Sequence, residues 1–161
     1  MKKYFLIAIL LFASQIIYCQ NLKIDSTGIY INSKKITGIL NVVDVLGLPE
    51  RTNSLINNIW TYDSLGVLLY LEPVSSKLTY ITLDFKKHSY KFSPEKLFTG
   101  QLSIYGHTVD GNTSPENLIK IKELNFKPRA INNYTADSFS AQLSFDYFQD
   151  ANTLEVVHIR L

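Results

Sequence analysis

Through most of the chain, apolar side chains recur at every second position. KLTYITLDF (77–85) puts Thr79, Ile81, Leu83 and Phe85 on one side, and TLEVVHIRL (153–161) does the same with Glu155, Val157, Ile159 and Leu161. GVLLYLE (66–72) and SAQLSFDYF (140–148) follow the pattern, the latter with Leu143, Phe145 and Tyr147 in phase. GIYIN (28–32) and QLSIYG (101–106) are shorter versions that run into polar turns. A period of two predicts half-buried strands. Two segments have helical spacing instead. ILNVVDVLG (39–47) offers Thr37 as N-cap, Gly47 as a left-handed terminator, and Pro49 beyond it. SPENLIKIKELN (114–125) starts with the Ser114 cap, Pro115 and Glu116. It aligns Leu118, Ile121 and Leu124, and is expected to stop at a positive-φ Asn125 before Pro128. These are the expected signals for helix ends.

The same order of signals occurs twice. Thr27-Gly28 and Thr99-Gly100 precede short strands, Ile31 and Ile104 lie 73 apart, and WTYDS (60–64) corresponds to YTADS (134–138). The final strands end at Phe85 and Leu161, 76 apart. Repetition at a near-constant offset points to a copied unit. The sequence therefore predicts an internal duplication, 27–85 and 99–161, joined by HSYKFSPEKLF (88–98). The expected fold class is α+β. Each hairpin–helix–strand unit contributes antiparallel strands and one helix, with both helices packed on one sheet face and a single domain over 20–161.

The N-terminus alters the charge and cysteine content of that domain. Lys2 and Lys3 precede an uncharged, mostly apolar run of fourteen residues, Tyr4–Ile17. This is shorter than the ~20 residues of a membrane-spanning helix, and the arrangement reads as a secretory signal over 1–19. Cleavage before Gln20 is expected, with lipidation of Cys19 and an uncleaved anchor as rival readings. Export to the periplasm or cell surface follows, with membrane attachment only if Cys19 is lipidated. Of the 16 Lys+Arg, two leave with the leader, so the remaining chain balances 14 bases against 14 acids. A neutral domain gives no electrostatic reason to expect nucleic acid as a partner. The single Cys is also removed, leaving no disulfide or thiol chemistry in the domain.

Candidate chemistry is sparse. His88, His107 and His158 lack metal-site spacing, and no G-x-S-x-G elbow or phosphate-binding glycine loop occurs. No cofactor or metal and no catalytic residue is predicted. WTYDSLG (60–66) combines Trp60, Tyr62 and Asp63, although D-S-L-G also has the signature of a β-turn. His158 and Arg160 alternate with the apolar side of the last strand and so face solvent or a partner. Aromatic-rich sheet faces are interface material. The candidate binding surface is therefore the open sheet face and turns around Trp60, Tyr62, Asp63, Tyr80, Tyr105 and His158.

VVDVLGLPE, WTYDSLGVLLYLE, KLTYITLDF and FTGQLSIYG together resemble a family of uncharacterised bacterial, Bacteroidetes-type envelope domains of unknown function. The shared pattern is a helix ending in LG-x-P, a YD-x-x-G turn and an F-x-G-x-(L/I)-x-I-x-G strand, covering about 35–110. A weaker likeness is to the SmpA/OmlA and β-lactamase-inhibitor-like repeats, which implies a non-catalytic binder or assembly factor. The second half departs from the pattern, with Asn125 in place of Gly47 and Ala136 in place of Tyr62, so no site residue is carried over. The expected function is an exported, non-catalytic protein that binds another macromolecule, most plainly a protein, in an immunity- or inhibitor-like role. The alternatives are a hydrolase with its site between the halves, or a small-ligand or glycan binder.

Overall fold

The computed structural model describes residues 20–53, 58–88, 91–148 and 152–161. The leader and Cys19 lie outside the described residues. The strands are β1 (Asn21–Asp25), β2 (Gly28–Ile31), β3 (Lys34–Lys35), β4 (Arg51–Asn53), β5 (Asn58–Tyr62), β6 (Val67–Leu71) and β7 (Leu78–Asp84). They continue with β8 (Gln101–Ile104), β9 (His107–Val109), β10 (Asn125–Ala130), β11 (Asn133–Asp137), β12 (Gln142–Tyr147) and β13 (Leu154–Arg160). Helices α1 (Ile39–Leu46) and α2 (Pro115–Ile119) are short. Among the described residues, no helix is long and apolar enough to cross a membrane.

The strands form two sheets, ordered β3-β2-β1-β8-β9 and β10-β11-β12-β13-β7-β6-β5-β4. Their apolar faces share one core. Leu22, Ile24, Leu102 and Ile104 of the smaller sheet join Leu69, Ile81, Leu83, Phe145 and Val157 of the larger. Val42 of α1 and Leu118 of α2 belong to the same cluster. This corrects the expected α+β class: the protein is mostly β. Helices of eight and five residues are too short to cover an eight-stranded sheet, and the second sheet fills that role. The hairpins that open each half are drawn into that sheet by β1, which pairs antiparallel with β2 and parallel with β8.

The helix expectations hold unevenly. α1 ends at Leu46 and is followed by Gly47, whose φ of 80° is positive as expected while its ψ of −165° lies outside the left-handed helical region. Its N-cap is Gly38, while the Thr37 hydroxyl bonds the Asn41 side chain at 2.6 Å. α2 stops at Ile119. Leu118, Ile121 and Leu124 are still buried together, because Ile121 N donates to Leu118 O and Leu124 N to Ile121 O, tightening the chain into three-residue turns. Asn125 does not adopt positive φ; it opens β10, and Pro128 lies inside that strand rather than before it. β10 tolerates the proline because it is an edge strand. Pro49 and Pro128 thus both lead into or lie on edge strands, β4 and β10, of the same sheet.

The order hairpin, helix, four-strand meander occurs twice. Hairpins β2–β3 and β8–β9 each turn through two positive-φ residues, Asn32 and Ser33 (49° and 67°) and Tyr105 and Gly106 (49° and 82°). These are the torsions of a tight hairpin turn. The two meanders meet where β7 pairs antiparallel with β13, and Thr82 stands opposite His158. Those two residues are themselves 76 apart, the offset of the strand ends.

Candidate functional site on the outer sheet face

Alternation fixes what the larger sheet shows to the outside. β7 buries Ile81 and Leu83 in the core and turns Tyr80, Thr82 and Asp84 outward. β13 buries Val157 and Ile159 and turns Val156, His158 and Arg160 outward. β12 buries Leu143, Phe145 and Tyr147, leaving Gln142, Ser144 and Asp146 on the outer face. β11 adds Asn133 opposite Asp146, and Thr135 opposite Ser144.

At the centre, side chains from four strands form a hydrogen-bonded row. Thr82 Oγ1 lies 2.9 Å from His158 Nδ1, and His158 Nε2 lies 3.2 Å from Asp146 Oδ2. Asn133 Nδ2 donates to the other Asp146 oxygen. When Nε2–H donates to Asp146, Nδ1 accepts from the Thr82 hydroxyl. Burial alone would raise the Asp146 carboxyl, but the His158 hydrogen bond and charge, helped by Asn133, hold it below its usual range. One step along β7, Asp84 is 4% exposed. Its burial pushes the carboxyl up to about 6, against the opposing charges of His88 and His158 and a bond from Ser93. His88 Nε2 and Asn133 Oδ1 are buried with no hydrogen-bond partner among the described residues.

Thr82, His158 and Asp146 follow each other in the sense of nucleophile, base and orienting carboxylate. Two features of the row work against acyl transfer. Thr82 is 2% exposed, and β7 is paired on both sides, by β6 and β13, so ladder bonds occupy the amides that would otherwise stabilise an oxyanion.

Beside His158 the face opens. A hollow of about 390 Å³ is lined by Tyr80, Arg129, Thr135, Gln142, His158 and Arg160, among others. A smaller notch of about 190 Å³ lies on the other side of Tyr80 and His158, against Tyr70 and Thr82. The Tyr70 and Tyr80 rings meet edge to face at 6.2 Å, and the Arg160 guanidinium lies 5.9 Å from the Tyr80 ring centre. Among the described residues, no group of three or more His, Cys, Asp or Glu is placed to hold a metal ion.

A family match covers residues 21–118, more than half the chain. The chain belongs to DUF7738, a family of domains of unknown function. The DUF7738 match takes in the N-terminal meander and continues through β8 and β9 into α2. The β10–β13 meander, with Asp146 and His158, lies beyond it. No curated protein and no solved structure matches the chain.

Of the six sequence candidates, Tyr80 and His158 come together at this hollow. The other four lie elsewhere. Trp60 is directed to the inner side, where it packs against the core. Tyr62 is 1% exposed; burial, with the Glu50 charge, pushes its phenol up to about 12, and its hydroxyl donates to Gly47 O at 3.0 Å. Asp63 is held by a two-pronged Arg51 contact, Nε to Oδ2 at 2.5 Å and Nη2 to Oδ1 at 2.6 Å. That contact pulls its carboxyl down. The chain turns at this point, but the bond that closes the turn, Leu65 N donating to Tyr62 O, spans Tyr62–Leu65, one residue before the D-S-L-G register. Tyr105 sits in the β8–β9 turn, where its hydroxyl accepts from Phe139 N at 3.1 Å. Sequence reasoning missed Thr82, Asp146, Asn133 and Arg129. The available signal was phase: each lies opposite in phase to the apolar residues of its own strand.

Proposed function

We propose that the protein is an exported, non-catalytic binding domain that receives a macromolecular partner on the open part of the outer sheet face. One observation carries the reading. The outer face of the N-terminal meander is closed by residues 91–98 of the chain's own connector, whereas the matching area of the C-terminal meander is polar, flanked by aromatics and open to solvent. The connector is tied down by Thr61 Oγ1 to Phe92 O, Arg51 Nη2 to Ser93 O, and Phe98 N to Asp84 O. Non-obligate interfaces are about as polar as the rest of a protein surface, with aromatics and arginine enriched, and Tyr80 and Arg160 stand beside this polar area. Export rests on the Lys2-Lys3 start and the apolar run after it. An immunity- or inhibitor-like role in the bacterial envelope is the concrete form we favour, with the two halves as copies of one module. An ester-hydrolase reading would call on Thr82, which is buried and lacks free amide donors beside it.

The test is affinity capture from envelope extract with the native protein, a Tyr80→Ala/Arg160→Glu variant, and a Lys23→Ala/Thr27→Ala control on the smaller sheet. The expected result is a partner retained by native and control protein and lost by the outer-face variant, with all three equally folded by circular dichroism. Undiminished capture by the outer-face variant would overturn the reading. So would ester or glycoside turnover abolished by Thr82→Val.

A further inference from the structure

We infer that the hollow beside His158 binds a short acidic oligosaccharide, with Arg129 and Arg160 engaging its carboxylates. This rests on the outer face being the binding surface and names the chemistry that surface recognises. Of the three arginines, Arg51 is paired with a carboxylate. Arg129 and Arg160 have no such partner among the described residues; both are exposed, and both line the one hollow. The register of β10 against β11 shifts between Pro128 and Ala130, so Arg129 has no residue directly across the ladder. Irregularities of this kind re-aim a side chain.

The spacing of the two arginines argues for a ligand larger than a simple anion. Across the sheet β10 and β13 are about 14 Å apart at ~4.8 Å per strand; along it Arg129 lies four residues beyond Asn125, the β10 position level with Arg160 through Asp137 and Gln142, a further ~13 Å at ~3.3 Å per residue, so an extended ligand is needed to meet both. Two guanidinium forks at opposite walls match carboxylates presented along a chain. Between them stand groups suited to sugar hydroxyls, Thr135 on β11 and Gln142 on β12, and the Tyr80 ring on β7 flanks Arg160 on its far side. Gln142 Nε2 donates to Asp137 Oδ1 at 3.3 Å, which fixes that amide at the rim. The volume, about 390 Å³, is in the range of small-ligand sites. An acidic peptide fits less well. Peptides can dock on sheets by adding to a free edge; the strands that floor the hollow, β11, β12 and β13, are each paired on both sides, and the free edge beside it is β10, so oligoglutamate is the comparison ligand that decides this point.

Titration calorimetry of the full protein with trigalacturonate tests this, with maltotriose, inorganic phosphate and oligoglutamate as comparison ligands. Binding of trigalacturonate is expected, with maltotriose and phosphate weaker by about tenfold or more, as loss of a charge-assisted pair implies. Arg129→Gln and Arg160→Gln should each weaken trigalacturonate by about tenfold. Lys23→Gln, in a separate polar hollow on the smaller sheet, should leave binding unchanged. The inference is overturned if trigalacturonate fails to bind, if maltotriose or phosphate binds as tightly, if both arginine variants bind normally, or if oligoglutamate is preferred. A partner captured through Tyr80 and Arg160 that trigalacturonate does not displace would remove this inference while leaving the outer-face reading intact.

Discussion

The two meanders of the larger sheet present different chemistry at matching positions of one face. The N-terminal meander places Ile59, Thr61, Leu68 and Tyr70 where the C-terminal meander places Asn133, Thr135, Ser144 and Asp146. Ile59, Thr61 and Leu68 are 1–2% exposed, while the four C-terminal residues are half-exposed. At the meeting point, Thr82 of one half bonds His158 of the other. The strand framework tolerates either chemistry on this face, because the core contributes only the inward phase. What differs is the cover. One half closes its outer face with the connector and fills it with apolar residues; the other keeps polar, titratable groups that a buried surface would penalise.

Disturbing the cover should have the largest effect. At Gly66, with φ of 70°, an added Cβ would lie 2.1 Å from Phe98 N and 2.3 Å from Leu97 C. Gly66→Ala is expected to cost about 3 kcal/mol by combined strain and overpacking, read from urea denaturation midpoints. Near-native stability would show that the connector is not held against the sheet. Asp63→Ala removes the Arg51 clamp and the acceptor for Glu95 N. A loss of about 1–2 kcal/mol is expected, since charge-assisted bonds are strong but Arg51 is partly in water.

Asp84 provides a smaller, pH-dependent test at the boundary between the two regions. Its folded value of about 6 lies above the ordinary 3.8, so the folded protein holds this proton longer than the unfolded chain does. Its contribution to stability is therefore fully present below about pH 4, falls as pH rises to about 6, and is flat above that. Asp84→Asn should flatten thermal midpoints across that window; an unchanged slope would assign it to other groups. On the open half, Arg160→Gln should change stability by less than about 0.5 kcal/mol, measured by thermal melting. A larger loss would mean that this arginine serves the fold and not a ligand.

Much of this architecture was legible as phase along the strands. β12 alternates cleanly because one side meets the core and the other does not, whereas β6 (VLLYL) is apolar on both faces because its outer one is covered as well. β10 was hidden because NFKPRA carries a proline and two basic residues, which edge strands accept and central strands reject. β1 follows directly on the leader and supplies only Leu22 and Ile24 to the core, too brief a pattern to reveal that it joins the hairpins into a second sheet. That omission is why helices were expected to provide the cover. At the site, Tyr80, His158 and Arg160 were visible as outward positions. Their neighbours Thr82, Asp146 and Arg129 were not, because contact across strands depends on strand order and register, and β7 pairs with β13 from the far half of the chain.

Side-chain footprinting by hydroxyl radicals, with and without the captured partner, tests the central claim most directly. In the free protein Tyr80 and His158 should label while Leu68 stays protected; with the partner bound, protection should appear at Tyr80 and His158 and leave Lys23 and Tyr30 on the smaller sheet unchanged. Protection confined to the smaller sheet, or strong labelling of Leu68 in the free protein, would contradict the division of this face into a covered half and an open one.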